Sequence, residues 1–100
     1  MPSTETAPEP IRISLVESEA CHFCEEARSS LDELARAYPL LIDIIDIRSA
    51  QGLALMQSHR ASMSPLVLLD GEFFSHGRLP RRKLTRALDR RVHASSASVG

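Results

Sequence analysis

Two cysteines three positions apart, the only cysteines in the 100-residue chain, constrain its fold most strongly. Cys21 and Cys24 lie where an alternating apolar pattern, Ile11 to Val16, gives way to apolar positions at helical steps. A thiol at a helix N-terminus loses its proton more easily, because free backbone N–H groups and the helix dipole stabilise negative charge. The second thiol lies one turn on, close enough for a disulfide. The pattern predicts a redox dithiol in which an accessible Cys21 attacks and an inward Cys24 resolves.

The apolar pattern after the cysteines predicts a helix and then a strand. Steps of three and four place apolar residues on the same helical face as Cys24, as far as Tyr38, and Pro39 blocks continuation. The run Leu40 to Ile47 is almost continuously apolar and rich in Ile, which predicts an interior strand covered on both faces. A helix between two such strands forms a βαβ unit.

Two further helices are predicted in the second half of the chain. Ser49 is a candidate cap for a helix that runs to about Arg60, although Gly52 lowers its helix propensity. The inner side of this helix is expected to hold Leu53, Ala54, Met56 and Gln57. Pro80 at a helix start predicts a last helix to about Val92. Its apolar face holds Leu84, Ala87, Leu88 and Val92.

A hairpin is predicted between these two helices. Asp70-Gly71 separates two strand-like segments, and this dipeptide is typical of a type I′ turn, which needs positive φ at both central residues. The element order is therefore β-α-β-α-β-β-α. We expect one small α/β domain over residues 11–92, preceded by a flexible segment, residues 1–10, and followed by a flexible tail, residues 93–100.

Composition and charge exclude several classes of protein. The apolar fraction of 43% and charged fraction of 25% are ordinary for a soluble globular domain. The first ten residues have no basic start and no apolar run, so we expect no secretory signal, and no stretch is apolar over a membrane-spanning length. One close cysteine pair in such a chain is typical of intracellular redox or metal chemistry, which predicts a cytoplasmic protein with no membrane partner.

Basic residues cluster on the last predicted helix. The first fifty residues hold ten acids and four bases, whereas the second fifty hold three acids and eight bases. A solvated face is the simplest interpretation, with an acidic protein partner or an anionic thiol as alternatives. No aromatic residues accompany the charges, so no nucleic-acid partner is expected. The cluster comprises Arg81, Arg82, Lys83, Arg86, Arg90 and Arg91.

Three segments together carry a family resemblance. They are the C-x-x-C run Cys21-His22-Phe23-Cys24, the aliphatic-acidic run 44–47, and the run 64–71 that begins with Ser64-Pro65. With the predicted element order, they resemble the thioredoxin fold and specifically its glutaredoxin-like branch. The resemblance covers nearly the whole ordered region. It implies a central four-stranded mixed sheet flanked by helices.

The resemblance also implies a site and an activity. A thiol–disulfide oxidoreductase of this type would use Cys21 and Cys24 as its catalytic pair. A cis Pro65 would face the dithiol, where the backbone of Ser64 would pair with an extended substrate. His22 and Phe23 are candidate substrate contacts, although Phe23 equally suits packing. The expected partner is a disulfide-containing protein or a small thiol, and the protein is expected to act as a monomer.

Two segments depart from the pattern of glutathione-using members. Those members carry a basic residue shortly before the first cysteine, where this chain has Glu17-Ser18-Glu19. They also carry a Gly-Gly-x-Asp-like segment after the hairpin, where this chain has residues 77–80, Gly-Arg-Leu-Pro. No tightly bound cofactor is expected. A low-molecular-weight thiol, glutathione or an analogue, remains a candidate electron donor.

Two other interpretations of the cysteines stay open. Thiolates two residues apart form half of a tetrahedral zinc site, and His22 or a distant histidine would have to supply the rest. A second dithiol from another subunit would also complete a zinc or iron–sulfur site. We assign no residue as a metal ligand, because only half of such a set is visible in the sequence. A thioredoxin-like module that binds proteins without turnover is the third interpretation.

Overall fold

In the part of the chain that the structure describes, four strands and three helices follow one another in the order that the sequence predicts. The computed structural model describes the backbone of residues 9–99 and the side chains of residues 9–93. The predicted flexible segment therefore lies largely outside the described residues. The elements are β1 (Ile11–Glu17), α1 (His22–Leu34), β2 (Leu40–Asp46), α2 (Ala50–Ser58), β3 (Leu66–Leu69), β4 (Glu72–His76) and α3 (Arg81–Val99).

The strands form one mixed sheet in the order β2-β1-β3-β4. Strand β1 pairs parallel with β2 on one side and antiparallel with β3 on the other, and β3 pairs antiparallel with β4. The antiparallel register sets Val16 opposite Leu66. The carboxyl end of β1 and the amino end of β3 therefore meet at the same edge of the sheet, which is where the cysteines lie.

Helices cover both faces of this sheet. Alternate residues of a strand point to opposite faces, so Ile13 and Leu15 of β1 pack on one side and Val16 on the other. The larger cluster lies under α1 and α3, and its helical members are Ala27, Leu31, Leu34, Leu84, Ala87 and Leu88. The smaller cluster joins Val16 to Ile45, Leu66 and Leu68, with Leu55 and Met56 of α2 packed against it.

The hairpin between β3 and β4 has the predicted turn. Asp70 and Gly71 both have positive φ, 51° and 85°, as a type I′ turn requires. Asp70 also ties the turn to β1, because its Oδ1 accepts the Arg12 backbone N–H at 2.9 Å. A β-bulge between Val67 and Leu68 shifts the register along the hairpin.

Strand β2 is an edge strand, so the prediction of an interior strand covered on both faces is wrong. Only Ile45 is fully buried, whereas Leu41 and Ile44 are 49% and 43% exposed. The apolar run is long enough for a buried strand, but β3 takes the other side of β1 and leaves β2 with one neighbour.

The boundaries and inner faces of the helices differ in part from the prediction. Helix α1 ends at Leu34, and a turn rather than helix leads to Pro39. In α2 the residue against the sheet is Gly52, while Leu53 is 54% exposed. Ala54 and Gln57, also expected on the inner side, are exposed, whereas Met56 is half-buried.

Helix α3 extends beyond its predicted end at Val92. It continues through Val99, because no Pro or Gly interrupts residues 93–99. The flexibility of the 93–100 segment stays a prediction. Among the described residues, no helix combines the length and apolar character needed to cross a bilayer.

Candidate functional site

The two cysteines lie at the junction between β1 and α1, as predicted. Their sulfur atoms are at disulfide-bonding distance, and their Cα atoms are 5.2 Å apart. Cys21 is the N-cap of α1, with extended backbone angles, and its carbonyl accepts the Glu25 N–H at 3.1 Å. The Cys24 N–H donates to Cys21 Sγ at 3.1 Å. A backbone donor of the first helical turn is therefore aimed at the sulfur that the sequence predicts as nucleophile.

The two thiol positions differ in exposure. Cys24 is 2% exposed and packs on the inner face of α1, whereas Cys21 is half-buried at the helix tip. The inward Cys24 follows from its place on the same helical face as Ala27 and Leu31. Of the two cysteines, Cys21 is therefore the more exposed.

Ser64, which precedes Pro65, lies beside Cys21. The Ser64–Pro65 peptide bond is cis, as the resemblance implies. Ser64 Oγ lies 3.7 Å from Cys21 Sγ, within hydrogen-bonding range for sulfur. Pro65 is buried, and its carbonyl accepts the Gly77 N–H at 3.0 Å, which ties this loop to the end of β4.

Ser18 is a site residue that the sequence analysis does not single out. Its Oγ lies 3.0 Å from Ser64 Oγ, so the two hydroxyls and Cys21 Sγ form a row. The β1–β3 register sets Val16 opposite Leu66 and, carried two residues further, sets Ser18 opposite Ser64. The pairing of β1 with β3 is the signal that would have identified it.

His22 and Phe23 occupy the exposed rim of the site. The His22 side chain is 77% exposed and its Nε2 lies 3.0 Å from Glu26 Oε2. Phe23 is 37% exposed, with its ring centroid 6.3 Å from that of His22. Both side chains are therefore accessible to a bound molecule, and their substrate-binding role stays a prediction.

A groove of about 530 Å³ adjoins His22. Its walls come from α1 on one side and from the segment between β4 and α3 on the other. Both signs of charge line it, with Glu26 4.0 Å from Arg78. The lining residues are His22, Glu25, Glu26, Ser29, Ser30, Arg78, Leu79 and Arg81.

Ion pairs hold the acidic loop that precedes Cys21. Arg48, between β2 and α2, reaches Glu19 and Asp46, each at 3.2 Å. Arg28 of α1 lies 3.7 Å from Glu17. The side chain and the backbone N–H of Arg48 both donate to Asp46, which holds the pKa of that carboxyl below its usual range. Glu17 and Glu19, which stand where glutathione-using glutaredoxins carry a basic residue, are thus each paired with an arginine.

Metal ligands other than the two cysteines do not gather at the site. Over the residues that the structure describes, no three His, Cys, Asp or Glu side chains are grouped as a metal-binding set.

Comparison with known proteins identifies the fold. No protein-family model matches the chain, and no curated protein sequence matches it. A mutant thioredoxin from Halobacterium salinarum NRC-1 is similar in structure, with a TM-score of 0.65, 18% identity, and coverage of 84% of this chain and 76% of that one. An uncharacterised thioredoxin-like protein from Clostridium perfringens gives a TM-score of 0.67 at 14% identity, covering 87% and 75%.

A third solved structure extends the comparison. A protein of unknown function from Staphylococcus aureus gives a TM-score of 0.58 at 14% identity, covering 83% of this chain and 92% of that one. At these identities the likenesses establish the fold alone. The predicted fold class is confirmed: the chain has a thioredoxin-like α/β fold with a four-stranded mixed sheet, and it carries a C-x-x-C pair at disulfide distance.

Proposed function

We propose that the protein is a glutaredoxin-like thiol–disulfide oxidoreductase in which Cys21 is the nucleophile and Cys24 the resolving thiol. The observation that carries this proposal is the unequal environment of two bondable sulfurs. Cys21 is half-buried and its Sγ accepts a backbone N–H, whereas Cys24 is 2% exposed. This difference supports attack by Cys21 and resolution by Cys24.

The reaction begins from the reduced protein. The Cys21 thiolate attacks one sulfur of a substrate disulfide, whose S–S bond breaks, and the first substrate thiolate leaves with the electron pair. The Cys24 thiol then loses its proton and attacks Cys21 Sγ, which releases the second substrate thiolate. Two electrons have passed to the substrate, and Cys21 and Cys24 are left as a disulfide. Reduction by an external dithiol or by two thiols restores the starting state.

The proposed substrate is a disulfide in a protein or in a small thiol. An extended segment would lie along the Ser64 backbone, with His22 and Phe23 at its flanks. The groove beside His22 offers a docking place for a small thiol, since its walls carry both carboxylates and guanidinium groups. We propose action as a monomer in the cytoplasm, with no membrane or nucleic-acid partner.

A redox titration tests the activity. The oxidised protein is equilibrated with defined ratios of a reduced and an oxidised dithiol, and free thiols are counted after alkylation by the shift in gel mobility. One reversible two-electron transition is expected. The proposal fails if the cysteines do not interconvert reversibly. It also fails if anaerobically purified protein contains stoichiometric zinc or iron on the same thiols, the result that the metal-binding alternative predicts.

A panel of electron donors tests whether glutathione reduces the oxidised protein efficiently. The oxidised protein is mixed in parallel with glutathione, with other low-molecular-weight thiols and with a thioredoxin reductase system. We propose that glutathione is a poor donor, because Glu17 and Glu19 stand where glutathione-using members carry a basic residue. Fastest reduction by glutathione would contradict this part of the proposal and leave the dithiol chemistry intact.

A further inference from the structure

A row of two serine hydroxyls ends at the sulfur of Cys21. Ser18 Oγ lies 3.0 Å from Ser64 Oγ, and Ser64 Oγ lies 3.7 Å from Cys21 Sγ. Both contacts are partly buried and join segments that are more than forty residues apart in sequence. The β1–β3 register fixes this alignment, because Val16 is paired with Leu66 two residues away from each serine.

The reduced state decides the direction of these hydrogen bonds. A thiolate carries no proton and only accepts, so Ser64 must donate its single hydroxyl proton to Cys21 Sγ. Ser64 Oγ then has only lone pairs to offer, and Ser18 must donate to it. Donation along such a chain polarises each successive hydroxyl and strengthens the bond that ends on the charge.

The geometry points to Ser18 as a positioning residue that stabilises the reduced Cys21 thiolate through the hydroxyl of Ser64. This inference rests on the proposed function, since it concerns the nucleophile of that reaction. Ser64 touches the reacting sulfur, and Ser18 acts only through Ser64. Cys21 Sγ then has two hydrogen-bond donors, the Ser64 hydroxyl and the Cys24 N–H, and the nitrogen of the latter lies 3.1 Å from the sulfur. A donor to the charged form favours it, so the row raises the thiolate population at a given pH.

Other charged groups lie on the segments next to Cys21, and the serine substitutions leave all of them unchanged. Any effect that they have on the thiolate is the same in every variant. Those on the elements around Cys21 are Glu17, Glu19, His22, Glu25, Glu26 and Arg78. A difference between serine variants therefore reports on the hydroxyl row.

The test is the pH dependence of Cys21 alkylation by iodoacetamide in the reduced protein, with the labelled site identified by peptide mass spectrometry. Ser64→Ala and Ser18→Ala are each expected to move the midpoint upward and to slow alkylation below it roughly three- to tenfold. Ser18→Thr, which keeps a hydroxyl, is expected to stay near wild type. Ser58→Ala is the matched control, because Ser58 is exposed at the end of α2 and its hydroxyl donates to the Leu55 carbonyl.

The double variant, with Ser18→Ala and Ser64→Ala together, shows whether the two hydroxyls act in series or independently on Cys21. If Ser18 acts through Ser64, Ser18→Ala has no further effect once Ser64 is alanine. An unchanged midpoint in Ser18→Ala, or equal shifts with and without the Ser64 hydroxyl, would overturn the inference. Failure of the proposed function looks different, since wild-type cysteines would then show no reversible disulfide in the redox titration.

Discussion

Gly52 of α2 lies directly against the backbone of Asp46, the last residue of β2. A Cβ atom added there would overlap the carbonyl oxygen of Asp46 and lie 2.9 Å from the Cα of Ile47. This contact lets α2 approach the sheet closely, with Leu55 and Met56 packed on the smaller core cluster. The close approach explains why the buried residue of a short apolar helix is a glycine.

Replacing Gly52 by alanine tests this contact. We expect Gly52→Ala to lower the free energy of unfolding by about 1–3 kcal/mol, because backbone atoms rather than a flexible side chain must move. Alanine is otherwise favoured over glycine in a helix by about 1 kcal/mol, so Ala54→Gly at an exposed position of α2 is the control, with a loss of about that size. Urea unfolding measures both variants. A Gly52→Ala protein as stable as wild type would show that α2 is not seated as described.

Gly71, in the turn between β3 and β4, is favoured because of its backbone conformation and not because a side chain there would clash. A Cβ on Gly71 would meet no atom within 4 Å, yet its φ is 85°. We expect Gly71→Ala to cost about 1–2 kcal/mol, the penalty of a left-handed conformation for a residue with a side chain. Gly71→Asn should cost less, since asparagine tolerates this region. Thermal unfolding measures both variants. A lower melting temperature for Gly71→Asn than for Gly71→Ala would contradict the type I′ assignment.

Arg48 sets the titration of Asp46. Its side-chain hydrogen bond contributes most to holding the pKa of Asp46 below the usual value, and its backbone N–H at 2.8 Å adds to this. Arg48→Gln should therefore raise the pKa of Asp46 part of the way back, because the backbone donor remains. NMR titration of the Asp46 carboxyl measures the shift. Arg36→Gln, at an exposed position after α1, is the control.

The Arg48–Asp46 pair also predicts how the free energy of unfolding depends on pH. A carboxyl whose pKa is lower in the folded than in the unfolded state stabilises the fold above the unfolded pKa. That contribution is lost as pH falls through the folded pKa. In Arg48→Gln the folded pKa of Asp46 is raised, so the contribution should be smaller and its loss should be complete at a higher pH. High salt should reduce the difference between the two proteins, because the pair is exposed. Identical acid-unfolding curves at low salt would contradict this linkage.

Elements with a local signature could be predicted from the sequence. The cysteine pair, the Asp70-Gly71 turn and the capping Ser49 each act through the backbone within a few residues, and the structure has them where predicted. The first strand alternates over residues 11–15, and the side that packs under α1 and α3 follows from that alternation, whereas Val16 is buried on the other face.

Features that depend on sheet order could not be predicted from local pattern. A continuous apolar run such as β2 fits either a central or an edge strand, and the pairing of β3 with β1 decides between them. In α2 the inner side follows from a close backbone approach at Gly52 that apolar periodicity does not reveal. Ser18 belongs to the site only through the β1–β3 register, which joins residues 46 positions apart.

The most direct test of the account compares the two single cysteine variants. Cys21→Ser and Cys24→Ser are each reduced, mixed with a protein disulfide, quenched with acid, and examined for a mixed disulfide on a non-reducing gel. The account predicts that Cys24→Ser accumulates the mixed disulfide, because the half-buried Cys21 remains and no thiol resolves it. Cys21→Ser should trap little, since the remaining cysteine, Cys24, is 2% exposed. Equal trapping by the two variants, or trapping by Cys21→Ser alone, would contradict it.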